Sequence, residues 1–221
     1  MMMVCPWFQR EIIIEDGKIT TLVIENQPLF RRFAEELGKQ IVGDNGEIVL
    51  SEQYIPKDLK NSAEILDRFA PFELNKKQLL NKITAKLEKT ALDEVHYMQA
   101  KKLLWEIEQF AEEVAFEYSC DLVYDKIDIG VIFKAIGIRL ADEYAEPLER
   151  ILDYMSLVRE FERNKIFIMI NMRSYFDDAA MNLFAQTVKK QQFAVLLLES
   201  TERKRLSDEL CYIIDEDLCE I

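Results

Sequence analysis

Two short runs constrain this chain more than any other feature. Residues 165–170 (KIFIMI) and 193–198 (FAVLLL) are apolar at consecutive rather than alternate positions. Successive side chains of a strand point to opposite faces, so such runs need cover on both sides. Between them, Asp177 or Asp178 is placed to cap a helix reaching about Gln191. Apolar strand, helix, apolar strand implies a parallel sheet with helices packed on its faces, an α/β fold. Pro147 opens a further helix to about Arg163, and residues 211–214 read as a last, short strand.

The N-terminal part continues that pattern. Residues 11–14 (EIII) and 19–24 (ITTLVI) are rich in β-branched side chains, with Asp16-Gly17 between them. That arrangement predicts a hairpin. Pro28 suits the first turn of a helix to about Lys39. Gly43-Asp44-Asn45-Gly46 is a turn signal, followed by short strands at 47–50 and 63–68.

After Phe72 the character changes. From Leu74 to Ser119 there is neither glycine nor proline. Leu79, Ile83 and Leu87 recur at helical spacing, and Leu103, Leu104, Ile107, Phe110, Ala111 and Val114 do so again. A break near Ala91–Val95, with Asp93 as a cap, predicts a helical hairpin. A third helix at about 127–136 stops at Gly137. The expected organisation is an α/β domain over 1–72 and 138–221, interrupted by a helical insertion over 73–137.

Several chemistries have no support in the sequence. Neither the phosphate loop GxxxxGK[ST] nor GxGxxG occurs, and the six glycines are not clustered as either requires. The single histidine, His96, sits among Val95, Tyr97 and Met98 and reads as a partly buried structural residue. Four cysteines without a CxxC pair suit a reduced, cytoplasmic protein. No apolar run approaches the roughly 20 residues of a membrane span. Acidic groups do cluster, at Glu112, Glu113, Glu117, Asp121, Asp125 and Asp128, and again at Asp215-Glu216-Asp217. Such groups can hold calcium or serve a metal-dependent nuclease, or form a solvated helix face.

Charge is unevenly spread within the insertion. Between Asn75 and Lys102 there are seven lysines against three acids; between Leu103 and Asp128, eight acids against one lysine. Lys82, Lys86 and Lys89 share one helical face beside the leucine stripe. Three lysines so placed can track phosphates without reading bases. Alternatively, they pair with the acids of the next helix. The formal net charge of -13 repels DNA at long range, so a nucleic-acid role needs cations gathered in one place.

The order of segments is similar to that of the small CRISPR-associated protein of type II-A loci, the Csn-two family. The segments that carry the resemblance are DLVYDKI at 121–127, FKAIGIR at 133–139, NKIFIMIN at 164–171, VLLLE at 195–199 and YIIDED at 212–217. The resemblance implies a homotetrameric ring, each subunit having an α/β head shaped like a phosphate-loop NTPase core without the loop, and a helical leg. It implies sequence-independent binding of double-stranded DNA ends, calcium binding, and a non-catalytic role in spacer acquisition beside the integrase proteins and the effector nuclease. The family's basic positions match Lys134 and Arg139, which join Lys82, Lys86 and Lys89 as expected DNA contacts. Its acidic positions match Asp121 and Asp125. Val123, Lys126 and Val131 stand where further acids are expected, so an implied calcium site rests on Asp121, Asp125 and Asp128. The competing readings are a protein-interaction scaffold without DNA contact and a metal-dependent nuclease.

Overall fold

Nine strands and seven α-helices are present in the computed structural model, which describes residues 1–120, 122, 123 and 125–221. The apolar runs form β7 (Ile166–Ile170) and β8 (Ala194–Glu199). They pair in parallel, with Ile166 opposite Ala194 and Ile168 opposite Leu196. β3 (Ile19–Ile24) lies on the other side of β8, followed by β9 (Leu210–Ile214); β6 (Ala63–Leu66) completes the far edge. The order is β6-β7-β8-β3-β9, and every neighbouring pair is parallel. This is an α/β protein built on a parallel sheet.

The helices of this unit begin and end where local chemistry dictates. α1 (Gln27–Val42) is capped by Asn26, whose side chain accepts from Leu29 N at 3.0 Å. It stops at Gly43, whose φ of 106° is unfavourable for a residue with a Cβ. Leu29, Phe33 and Leu37 recur every fourth residue and are its buried stripe. Asp177 caps α7 (Asp178–Gln191) by accepting from Ala180 N at 2.8 Å. α6 (Pro147–Phe161) buries Leu148, Ile151, Tyr154, Met155 and Val158.

The expected hairpin does not form. β2 (Ile12–Ile13) joins an antiparallel sheet of order β2-β1-β4-β5, with β1 (Met2–Val4), β4 (Val49–Glu52) and β5 (Ile55–Lys57). β3 belongs to the other sheet. All six of its residues are buried, so it needs cover on both faces, which a two-stranded hairpin cannot supply. The Asp16-Gly17 turn remains, with Gly17 at φ 74°, but it changes sheets rather than reversing a strand. β4 starts two residues later than expected because the Gln40 side chain takes the backbone of Ile48, donating to its carbonyl at 2.9 Å and accepting from its N–H at 3.2 Å.

The chain divides into two compact units, Met1–Phe72 with Tyr144–Ile221, and Glu73–Glu143. The second contains α3 (Lys77–Ala91), α4 (Tyr97–Ala115) and α5 (Ile129–Ala135). α2 (Leu59–Ser62) belongs to the first. No helix is long and apolar enough to cross a membrane among the described residues.

Candidate nucleic-acid interface

The helical unit is built from the leucine stripe outward. Leu79 of α3 is buried, while Ile83 and Leu87 are half-buried. α5 packs against α3. An apolar groove of about 310 Å³ runs between the helices, lined by Leu87, Ala91, Leu103, Ile129 and Phe133 among others. Gly130 of α5 lies so near α3 that a Cβ there would come within 2.6 Å of Glu88 Oε2.

The expected cations divide between the helices. On α3, Lys82 is half-buried, and Lys86 and Lys89 are exposed. Lys89 lies in the last turn, where the helix dipole favours positive charge. Lys134 is exposed in the last turn of α5, and Arg139 is exposed two residues beyond Gly137. Gly137 adopts φ 67° and marks the helix stop. The face of α3 and the end of α5 thus each bear cations within one unit.

The link between α3 and α4 turns on Asp93. Its Oδ1 accepts from Val95 N and His96 N, both at 2.9 Å, and lies 2.9 Å from His96 Nδ1. These hydrogen bonds, His96's first, hold the Asp93 carboxyl below its ordinary value. His96 is exposed, not partly buried as expected. It sits at a helix start, where the chain reverses outside the apolar stripe.

Of the three expected calcium ligands, two fall among the described residues. Asp121 lies outside the described residues. Asp125 is exposed, and Asp128 is the cap of α5, its Oδ1 accepting from Val131 N at 2.8 Å. Among the described residues no group of three His, Cys, Asp or Glu side chains is placed to hold a metal ion.

The α/β unit contains a charged cluster that periodicity does not reveal. Arg173 and Glu199 are buried beside the ends of β7 and β8. Glu199 Oε1 accepts from Arg173 N at 3.1 Å, and Glu209 Oε1 lies 3.7 Å from Arg173 Nη1. Thr21 of β3 donates to Glu209. One carboxylate thus takes the Arg173 backbone and the other its guanidinium, and burial pushes the Glu199 carboxyl up to about 7. Glu199 closes the apolar run of β8, and that abrupt polar residue is the only trace the cluster leaves in sequence. A second feature of this unit is visible in the sequence itself. Arg203-Lys204-Arg205 is the only set of three adjacent basic residues in the chain.

All four cysteines are free. Burial raises the Cys5 thiol to about 11 and also raises that of Cys211, so these two favour the unreactive thiol form.

Comparisons with known proteins identify the family. The family described as CRISPR-associated protein (Cas_Csn2) matches residues 40–218. The CRISPR-associated protein Csn2 of Enterococcus faecalis is 26% identical over 207 residues, which cover 92% of this chain and 91% of that protein. With the match spanning both units, the chain belongs to the Csn2 family of CRISPR-associated proteins.

Proposed function

We propose that this CRISPR-associated protein binds double-stranded DNA without sequence preference, as a homotetrameric ring that engages duplex ends during spacer acquisition. The observation that carries the reading is the gathering of Lys82, Lys86 and Lys89 along α3, with Lys134 and Arg139 around the end of α5, in a chain of net charge -13. Phosphate contacts need clustered cations and no base-reading side chains. No aromatic residue is interleaved with the α3 lysines, which disfavours a single-strand stacking mode. The integrase proteins and the effector nuclease are its proposed partners. The chain itself is proposed to be non-catalytic and cytoplasmic. No step is assigned to calcium.

Gel-shift assays with linear and covalently closed circular duplexes test the ring. Binding to linear DNA alone is expected. Absence of binding at low salt, or equal binding to closed circles, would overturn it. Reversing Lys82, Lys86 and Lys89 to Glu together with Lys134 and Arg139 should abolish binding; survival of binding would show these are not the contacts.

A second reading has its own observation. α4 exposes Leu103, Trp105, Phe110 and Val114, a larger apolar surface than a solvated helix needs. That favours a protein–protein contact through α4. Light scattering on the wild type and on Trp105→Ser/Phe110→Ser separates self-association, in which the mass falls, from a scaffold contacting other proteins, in which it does not.

A further inference from the structure

We infer that the loop Thr201-Glu202-Arg203-Lys204-Arg205, between β8 and β9, is a second phosphate-backbone contact, in the α/β unit. The inference rests on the DNA-binding reading above and adds a site to it.

Residues 201–205 are all exposed. None of the three cations is in an ion pair with a described residue. Three adjacent like charges repel one another, and a chain with 41 acidic residues has ample means to neutralise them. The nearby acids are instead committed elsewhere. Asp208 bridges Lys189 at 2.9 Å. Glu209, its side chain almost wholly buried, faces Arg173. Glu202 in the loop, Glu199 beneath Arg203 and Asp178, which lines one hollow with Arg203, are the acids left to offset the three cations.

The loop is also held in place. At its start, Ser200 N donates to Asn171 Oδ1 at 2.9 Å. In its middle, buried Arg173 donates through Nη2 to the Lys204 carbonyl. At its end, Leu206 N donates to Glu209 Oε2 at 2.6 Å, and the Leu206 side chain is buried. The buried cluster therefore fixes the backbone while the three cationic side chains face water. A loop ordered in advance loses less entropy on binding. Exposed, adjacent cations on a loop suit a polyanion with repeating charge. A mononucleotide needs an enclosing cleft, and the chain lacks a glycine-rich cradle.

The test is the salt dependence of binding of a labelled linear duplex to the full-length protein, followed by fluorescence anisotropy. Each phosphate contact contributes about 0.9 to the slope of log affinity against log salt. Arg203→Gln/Lys204→Gln/Arg205→Gln should lower the slope by roughly 2 to 3 and weaken binding by about tenfold or more. The charge-keeping Arg203→Lys/Arg205→Lys should retain the slope. If the triple variant fails to fold, Lys204→Gln and Arg205→Gln singly decide, each expected to lower the slope by about 0.9. An unchanged slope overturns the loop assignment while leaving the DNA-binding reading standing. Wild-type protein that does not bind the duplex overturns both.

Discussion

Glu199 is the residue whose chemistry departs furthest from what its neighbours in sequence suggest. It ends an apolar strand, is buried, and faces Arg173, Arg203 and Glu209. Desolvation outweighs the two arginines and lifts its carboxyl from 4.5 to about 7. A folded-state value above the unfolded one means that the native state holds the proton more tightly. The resulting stabilisation is complete below about pH 4.5 and is lost as pH rises through about 7. The shift corresponds to roughly 3 kcal/mol. Urea unfolding of Glu199→Gln should therefore show a midpoint flatter across this window than that of the wild type. A midpoint as steep as the wild type's would place the titration on another group. At a different residue, Asn26→Ala should destabilise α1 by about 1 kcal/mol, read as a drop in thermal midpoint, because the Leu29 N–H loses its acceptor.

At the scale of elements, the end of α5 offers a clean test. A Cβ at Gly137 would meet nothing within 4 Å. Gly137→Ala should then cost about 1 kcal/mol through the positive φ alone, measured by thermal unfolding. Any larger loss of DNA affinity in that variant would come from moving Lys134 and Arg139 rather than from a clash. The same scale explains which expectations failed. Helices α1, α6 and α7 were legible because caps, prolines and a four-residue apolar repeat are local signals. The Ile12–Ile13 and Ile19–Ile24 strands were misjoined because a turn signal does not say which sheet receives each arm. β1 and β5 were missed: β1 is three residues long, and β5 is three exposed residues containing Pro56, so neither shows a run.

For the whole molecule, the core of the α/β unit is the parallel sheet between its helices. Ile166, Ile168, Leu196 and Leu198 are fully buried. Truncating Ile168 to Ala should cost about 2–5 kcal/mol, seen as a lower urea midpoint. The helical unit differs in kind. Much of α4 is exposed and apolar, and its charge is split between lysines and acids. Those are properties of a surface rather than of a core. Because the DNA reading rests on cations in a net-negative chain, its affinity should fall steeply with salt; a salt-independent affinity would contradict phosphate contact.

The sequence by itself determined the α/β class, the helical stretch after Phe72 and the family. Each rests on patterns contiguous along the chain: apolar runs, helical periods, and ordered segments such as NKIFIMIN at 164–171. It also contained the α3 lysines, which needed only the helical repeat to be placed on one face. Tertiary structure alone decided the strand order, the separation of β2 from β3, and the capping role of Asp128. It alone brought Arg173, Glu199 and Glu209, far apart in sequence, around one buried point. Burial and charge pairing depend on which distant segments meet, and no local pattern records that. The Arg203-Lys204-Arg205 loop shows both halves of the lesson. Its charge is written in three adjacent letters, but its fixed, outward-facing backbone comes from the cluster beneath it.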